Sequence, residues 1–449
     1  MLSAPHRDET ERSDMSNAIS FADKRSRAIL VLSAVAVALL AAMYFSPVWW
    51  VSLKAPNYPA EAFPDGVRIH FHMNGVFNGC QLAAKRDVFE DKALDCVHEM
   101  DAINHFVGMF PIASGGVVEK FFSPFLVSFL GLLVIGFMIP APKLRLAVLG
   151  VGFAAVAAWM YLAYFTPGGI RYQNSGYLDA LVTSLGQGQE EEGEEQSPVI
   201  AALKKSLIDS GASSVSDTAA LRRNVEKVGE AKLGEALARL HAGNEGKAGG
   251  DAKSLKEILA AAKSSQAKGK QLDIDILKAA FAADQSRQPA DKRVAWTGSG
   301  RQVLAWHYEK ALGRWFNEPD KNIPMARTMA TAANALFWIV LAGMAVMLFA
   351  ARNNGPLHYL LVLVPILLPV FFIIEYAAWL WWYGHSLNAM GAFTLKPFMP
   401  TVFGQGKVAQ FSTHSYPHRG FGMMVAVAVL MTLALMMRRK QLQEAGRAA

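Results

Sequence analysis

The chain has 449 residues, of which 52% are hydrophobic, and a formal net charge of +7. Much of its positive charge flanks long apolar runs, which indicates membrane orientation rather than nucleic-acid binding. Its two cysteines are too few for a disulfide framework, and the lack of a C-x-x-C-H sequence argues against covalently attached haem.

Six apolar segments reach the roughly 17–25 residues that a helix needs to cross a bilayer. After an N-terminal tail at 1–27, they cover 28–47, 121–140, 145–166, 330–351, 357–383 and 420–437, and a C-terminal tail follows at 438–449. Only a helix satisfies its own backbone hydrogen bonds in lipid. The sequence therefore predicts an all-α polytopic membrane protein with six transmembrane helices, in which 121–166 and 330–383 are hairpins.

Lysine and arginine residues predict the orientation of these spans. Four clusters flank them: Lys24, Arg25 and Arg27; Lys143 and Arg145; Arg352; and Arg438, Arg439 and Lys440. All four fall on one side of a six-span protein, and the positive-inside rule makes that side cytoplasmic. We therefore expect a bacterial inner-membrane protein with both termini in the cytoplasm and with periplasmic segments at 48–120, 167–329 and 384–419.

The second periplasmic segment contains a polar insertion at 186–295, rich in Ala, Lys, Glu, Gly and Ser. It opens with an acidic run at 190–195, which we interpret as a solvated linker. Apolar residues at helical spacing in 217–241 predict a helix. The insertion is therefore expected to be a loosely packed helical arm with flexible linkers.

The first periplasmic segment concentrates histidine and methionine. Residues 66–74 alternate like a strand, which directs His70 and His72 to one face. Residues 95–109 have helical spacing. That spacing directs a second group to one helix face: His98, Asp101, His105 and Met109.

These side chains predict a metal site. His105 and Met109 are four residues apart on the predicted helix and close enough to bind one ion, while Asp101 orients the His105 imidazole. Mixed imidazole and thioether ligands favour copper, with His98, His70 and His72 as further ligands. The alternative is that these are structural histidines and methionines that fill gaps in the core.

Other residues carry separate predictions. Cys80 and Cys96 are expected to form a disulfide in an oxidising compartment, with metal ligation as the alternative. Glu375 lies inside the fifth span, where a carboxylate is a candidate for cofactor binding or for a bond to a neighbouring helix. His414 and His418 precede the last span, and they either bind a cofactor or anchor the chain at the interface.

Three short motifs carry a family resemblance: Ser46-Pro47-Val48-Trp49-Trp50, Ala55-Pro56-Asn57-Tyr58-Pro59, and Ile103-Asn104-His105-Phe106-Val107-Gly108-Met109. The chain resembles small polytopic membrane proteins that are encoded beside nitrous oxide reductase in denitrifying and N2O-respiring bacteria. The segment from Lys396 to Phe411 is also similar to theirs. The resemblance covers about 44–172 and 330–437, and the chain departs from the family in its two cysteines and its insertion.

The resemblance implies a role in copper supply, maturation or electron delivery, because nitrous oxide reductase is a periplasmic copper enzyme. The leading hypothesis is thus a non-enzymatic accessory protein that handles copper at the periplasmic face and contacts that enzyme or other membrane subunits. One alternative is a quinol-linked electron-transfer subunit, in which Glu375 and the outer histidines serve proton and quinol chemistry. Another is a scaffold that docks through 186–295.

Overall fold

The computed structural model describes residues 7–56, 58, 60, 63–80, 95–196, 269–314, 316–391, 396–408 and 411–448. Six of its helices are long and apolar enough to cross a membrane: Lys24–Tyr44, Val117–Met138, Pro142–Phe165, Pro319–Ala351, Pro356–His385 and Arg419–Glu444. The predicted six-span, all-α polytopic class is therefore confirmed, and the chain is a multi-pass membrane protein. The helix predicted at 217–241 lies outside the described residues.

The helices have the following bounds: α1 Arg7–Tyr44, α2 Cys96–Phe106, α3 Val117–Met138, α4 Pro142–Phe165, α5 Ser175–Gln196, α6 Lys270–Ser286, α7 Gly300–Gly313, α8 Pro319–Ala351, α9 Leu360–His385 and α10 Arg419–Ala448. Helix α9 contains Pro365 and Pro369. Prolines are tolerated inside a spanning helix because neighbouring helices and local adjustments satisfy the freed carbonyls.

The strands are β1 Trp49–Lys54, β2 Val67–His72, β3 Gly75–Asn78, β4 Gly404–Val408 and β5 Phe411–Pro417. They form one antiparallel sheet in the order β3-β2-β1-β5-β4. The strand predicted within 66–74 is thus confirmed as β2, whereas the rest of the sheet was not predicted. We call the side of the bundle that carries this sheet the sheet side and the opposite side the terminal side.

Strand β1 joins the first and third segments between the spans. Trp50 pairs with His70 of β2 on one side and with Tyr416 of β5 on the other. The buried Trp49 indole donates to Ser415 Oγ at 2.8 Å and contacts the ring of Tyr376 in α9, with 5.5 Å between centroids. The sheet therefore packs directly against the helical bundle through α9.

On the terminal side, a buried arginine closes the bundle. Arg145 is 0% exposed, and its guanidinium donates to the backbone oxygens of Ala351, Asn353 and Ile139 and to Asn354 Oδ1, at 2.9–3.2 Å. These acceptors lie at the ends of α3 and α8, where the last carbonyls of a helix lack partners within it. The residue predicted only to set orientation also caps two helices.

Candidate functional site

The predicted helix-face ligands are not assembled around one point, and Asp101 is the first reason. It is 0% exposed, accepts a hydrogen bond from the Ile112 amide at 2.7 Å and pairs with Arg314 Nη1 at 3.4 Å. Burial raises the pKa of Asp101 to about 6, against the opposing effect of Arg314. Asp101 therefore anchors α2 to the end of α7, which corrects the prediction that it orients His105.

His105 and Met109 do not share a helix face, because α2 ends at Phe106. The chain then turns at Gly108, and Met109 enters the hydrophobic core with 8% exposure. The His105 ring instead stacks on Phe316, with 5.1 Å between centroids. The four-residue spacing predicted to bring an imidazole and a thioether together is thus interrupted by the helix end.

The turn at Gly108 gives the Ile103–Met109 motif a structural role. Gly108 has φ +84°, which favours glycine, and a Cβ there would lie 2.5 Å from the Asn388 oxygen. Its own carbonyl accepts a hydrogen bond from the Asn388 amide at 2.7 Å, and Met109 N donates to Asn104 O at 2.8 Å. The motif therefore ends α2 and docks it onto the segment after α9.

His98 also lies beside a cation. Its Nδ1 is 3.4 Å from Nη2 of Arg314, so the guanidinium that pairs with Asp101 also contacts this imidazole. A fixed positive charge at that distance disfavours a metal cation on the same nitrogen. The predicted disulfide, by contrast, is present: Cys80 and Cys96 are joined, and they connect the end of β3 to the start of α2.

The sheet brings together histidines from two distant segments. The rings of His70 and His418 lie 5.1 Å apart, and the His72 ring packs on Phe77 at 4.9 Å. Burial, followed by the neighbouring cationic groups, lowers the pKa of both His70 and His72 to about 4. His414 lies on β5, opposite Ser52.

Within the part of the chain that the structure describes, no three His, Cys, Asp or Glu side chains are grouped so as to hold a metal ion. Copper binding therefore stays a prediction, and the ligand set on which it was based is spread over several environments: the Arg314 contact, the Phe316 stack, the core and the sheet.

The feature that does assemble polar side chains is a cavity of about 550 Å³ between the sheet and the spans. Its roof is the inner face of the sheet, including Val51, Ile69 and Phe71. Helix α2 contributes a wall through Ile103 and Asn104. A volume in the roughly 300–1,000 Å³ range is typical of sites for small molecules and cofactors.

The cavity has a charged end at the start of α3. Glu119, Lys120 and Glu375 all line it, and Lys120 interacts electrostatically with both carboxylates. Trp379, one helical turn after Glu375 on α9, also lines the cavity. Glu119 Oε2 is buried and has no hydrogen-bond partner among the described residues. An unmatched buried acceptor costs about 1–3 kcal/mol unless a donor reaches it.

The other end of the cavity is apolar and belongs to the membrane-spanning helices. Leu126, Leu368, Phe371 and Met424 line it, from three different spans. Phe371 is 48% exposed on the outside of its span, so this end reaches the surface that faces lipid. The cavity is thus amphipathic, with apolar side chains of the spanning helices at one end and two carboxylates and a lysine at the other.

The sequence predicted Glu375 as a site residue but not Glu119 and Lys120, because these two directly precede the apolar run at 121–140 and have the pattern of an ordinary charged flank. The usable signal was a carboxylate and an ammonium within an otherwise apolar helix, which are rare and usually functional there. Of the predicted residues, His72, Met109 and Glu375 line the cavity.

The chain matches no protein-family model, no curated protein and no solved structure. The resemblance to proteins encoded beside nitrous oxide reductase stays a prediction.

Proposed function

We propose that this protein binds a lipid-soluble quinol in the amphipathic cavity and passes its electrons to a redox partner outside the membrane. The observation that supports this proposal is the unmatched Glu119 Oε2 at the charged end of a cavity whose other end is open to lipid. A quinol has hydroxyl donors on its head group and an apolar tail, which match these two ends.

The charged end suits the proton chemistry of the reaction. Oxidation of a quinol to a quinone releases two electrons and two protons, and Glu119 and Glu375 are two carboxylates that can accept hydroxyl protons. General bases must lie within hydrogen-bond reach of the proton that they accept. Lys120, which interacts electrostatically with both carboxylates, limits their mutual repulsion before the protons arrive.

The two electrons require an acceptor on a separate protein. A metalloprotein with a copper or haem centre would accept them one at a time. The four Lys and Arg clusters support a cytoplasmic terminal side, so the sheet side would face the periplasm of a bacterial inner membrane. The resemblance to proteins encoded beside nitrous oxide reductase makes a periplasmic copper enzyme the expected partner. The protein would then serve electron supply rather than copper insertion.

Binding is tested by titrating the purified full-length protein with a short-chain quinol such as decyl-ubiquinol. Loss of one hydrogen bond to a charged group is worth about 1.5–3 kcal/mol, so Glu119→Gln and Glu375→Gln should each weaken binding about 10-fold or more. Glu309→Gln is the matched control, since Glu309 lies on α7 and does not line the cavity.

Equal quinol affinity in the wild type and in both cavity variants would contradict the proposal. Displacement of the quinol by equimolar phospholipid would indicate that the cavity holds a lipid acyl chain instead. With quinol bound, reduction of a soluble copper or haem protein by the wild type, but not by Glu119→Gln, would support the electron-transfer step.

A further inference from the structure

The face of the sheet that points away from the cavity carries a cluster of cationic and imidazole groups. Arg68 and Arg419 each interact electrostatically with His70 and His418, and the two imidazole rings are 5.1 Å apart. We call these four residues the cationic cluster. It combines strand β2 with the turn between β5 and α10.

Two polar atoms of the cationic cluster are buried without a hydrogen-bond partner among the described residues. They are Nε of Arg68 and Nε2 of His70. The Arg68 guanidinium lies 4.1 Å from the centroid of the Trp50 ring, and its Nη1 is 2.9 Å from Asp65. Its position is therefore fixed, and its Nε has no hydrogen-bond partner among the described residues.

The backbone around His70 leaves little room for a side chain beside the ring. A Cβ on Gly79 would lie 3.0 Å from His70 Nε2 and from Cδ2. Glycine therefore allows the backbone to pack closely against one edge of the imidazole. On the other side, His418 Nδ1 accepts a hydrogen bond from the Arg419 amide at 2.8 Å, so its neutral ring carries the proton on Nε2.

The charges of the cluster favour an anion over a metal cation. Two guanidinium groups repel a cation, and the Nε2 proton of His418 blocks the nitrogen that a metal would use. Burial first, then His418, Arg68 and Arg419, lowers the pKa of His70 to about 4. A bound anion would offset this positive field and supply acceptors to Arg68 Nε and the imidazoles.

The location of the cluster indicates which anion it meets. His418 and Arg419 lie at the sheet-side end of the last span, which is Arg419–Glu444. Lipid phosphates lie just beyond the hydrocarbon core, at the level where spanning helices end. The first amides of α10 add the positive end of a long helix.

We propose that Arg68, His70, His418 and Arg419 form a binding site for a phosphate group, supplied by an anionic lipid head group or by a soluble phosphate ester. The site is separate from the quinol cavity, because Arg68 and His70 alternate along β2 with Ile69 and Phe71, which line the cavity. An occupied site would fix the sheet at the membrane surface.

The test compares two probes on the full-length protein. Phosphatidylglycerol retained by the detergent-solubilised protein is measured by native mass spectrometry, and glycerol 3-phosphate binding is measured by titration calorimetry. Arg419→Gln should weaken retention or binding about 10-fold, and Arg68→Gln by at least as much. Lys54→Gln is the matched control, since Lys54 is exposed on β1, lies outside the cluster and does not line the cavity.

Retention of phosphatidylglycerol without glycerol 3-phosphate binding would support the site and identify its source as lipid, whereas binding of both would identify a general phosphate site. Because Arg419 is exposed, its variant should fold even if Arg68→Gln does not. Equal phosphatidylglycerol retention by wild type, Arg419→Gln and Lys54→Gln, without glycerol 3-phosphate binding, would overturn the proposal. Copper binding to the cluster without either phosphate probe would also overturn it.

Discussion

Arg145 on the terminal side and Glu119 on the sheet side are both charged residues near the end of a spanning helix, but their surroundings differ. The Arg145 guanidinium has four acceptors within 3.2 Å and no exposure. Glu119 Oε2 is buried at the edge of a 550 Å³ cavity without a partner among the described residues. The first charge is satisfied by the fold, whereas the second is available to a ligand.

This difference distinguishes polar groups that stabilise the bundle from polar groups that can bind a ligand. A buried polar group with all its partners stabilises the packing around it, and its removal leaves other groups unmatched. A buried polar group without partners destabilises the fold. Such groups are few in native structures, and a binding site is one explanation for them. Substitutions at the two ends of the bundle should therefore affect different properties.

The largest effect is expected for Arg145→Gln. It removes most of the donors that cap α3 and α8, and it should lower the free energy of unfolding by about 4 kcal/mol. Unfolding of the detergent-solubilised protein measures this loss. Arg352→Gln is the control, since Arg352 is exposed on the same side. Equal stability of the two variants would contradict the structural role of Arg145.

A smaller effect is expected when both cysteines are replaced by serine. The Cys80–Cys96 disulfide closes a loop with a sequence separation of 16 residues. A loop of that length corresponds to about 3 kcal/mol of stabilisation. The thermal midpoint should fall in the double variant and in the reduced wild type by the same amount. A midpoint that changes in neither case would show that α2 is held by its other contacts alone.

Ionisation of Asp101 should make the free energy of unfolding depend on pH, by about 2 kcal/mol. Burial raises its pKa to about 6 from an ordinary value of 3.8, so the folded state binds the proton more tightly. This group therefore stabilises the fold at pH 4.5 and loses that contribution as the pH rises to 6.5. His70 and His72, whose pKa values are lowered, act in the opposite direction over the same range.

The difference between wild type and Asp101→Asn isolates the contribution of Asp101. The stability of the variant relative to wild type should rise between pH 4.5 and 6.5, as measured by unfolding at each pH. A constant difference would mean that Arg314 keeps the carboxylate ionised throughout this range.

Much of the fold could be predicted because a spanning helix is encoded locally, in the length of one apolar run. The sheet could not, since β1 pairs with β5 across more than 350 residues, as Trp49 does with Pro417. Strand β2 was visible from its alternation alone. The cavity could not be predicted either, because its walls come from α2, α3, α9 and the sheet. No local sequence pattern indicates that these elements meet.

The predicted metal site shows the same limit. His105 and Met109 have helical spacing in the sequence, but Gly108 with φ +84° ends the helical path between them. The smallest effect is expected for His105→Gln. The copper content per chain of the purified protein should be the same for this variant and the wild type. Metal analysis after equilibration with limiting copper measures it. Loss of copper in His105→Gln alone would restore the helix-face hypothesis.

The central claim is that the cavity binds a quinol through Glu119 and Glu375. Quinol extracted from protein purified under reducing, anaerobic conditions and counted per chain tests it most directly. We expect about one quinol in the wild type and in Glu309→Gln, and much less in a Glu119→Gln, Glu375→Gln double variant, because the quinol hydroxyls lose both charged acceptors. The same quinol content in all three proteins, or none in the wild type, would contradict the claim.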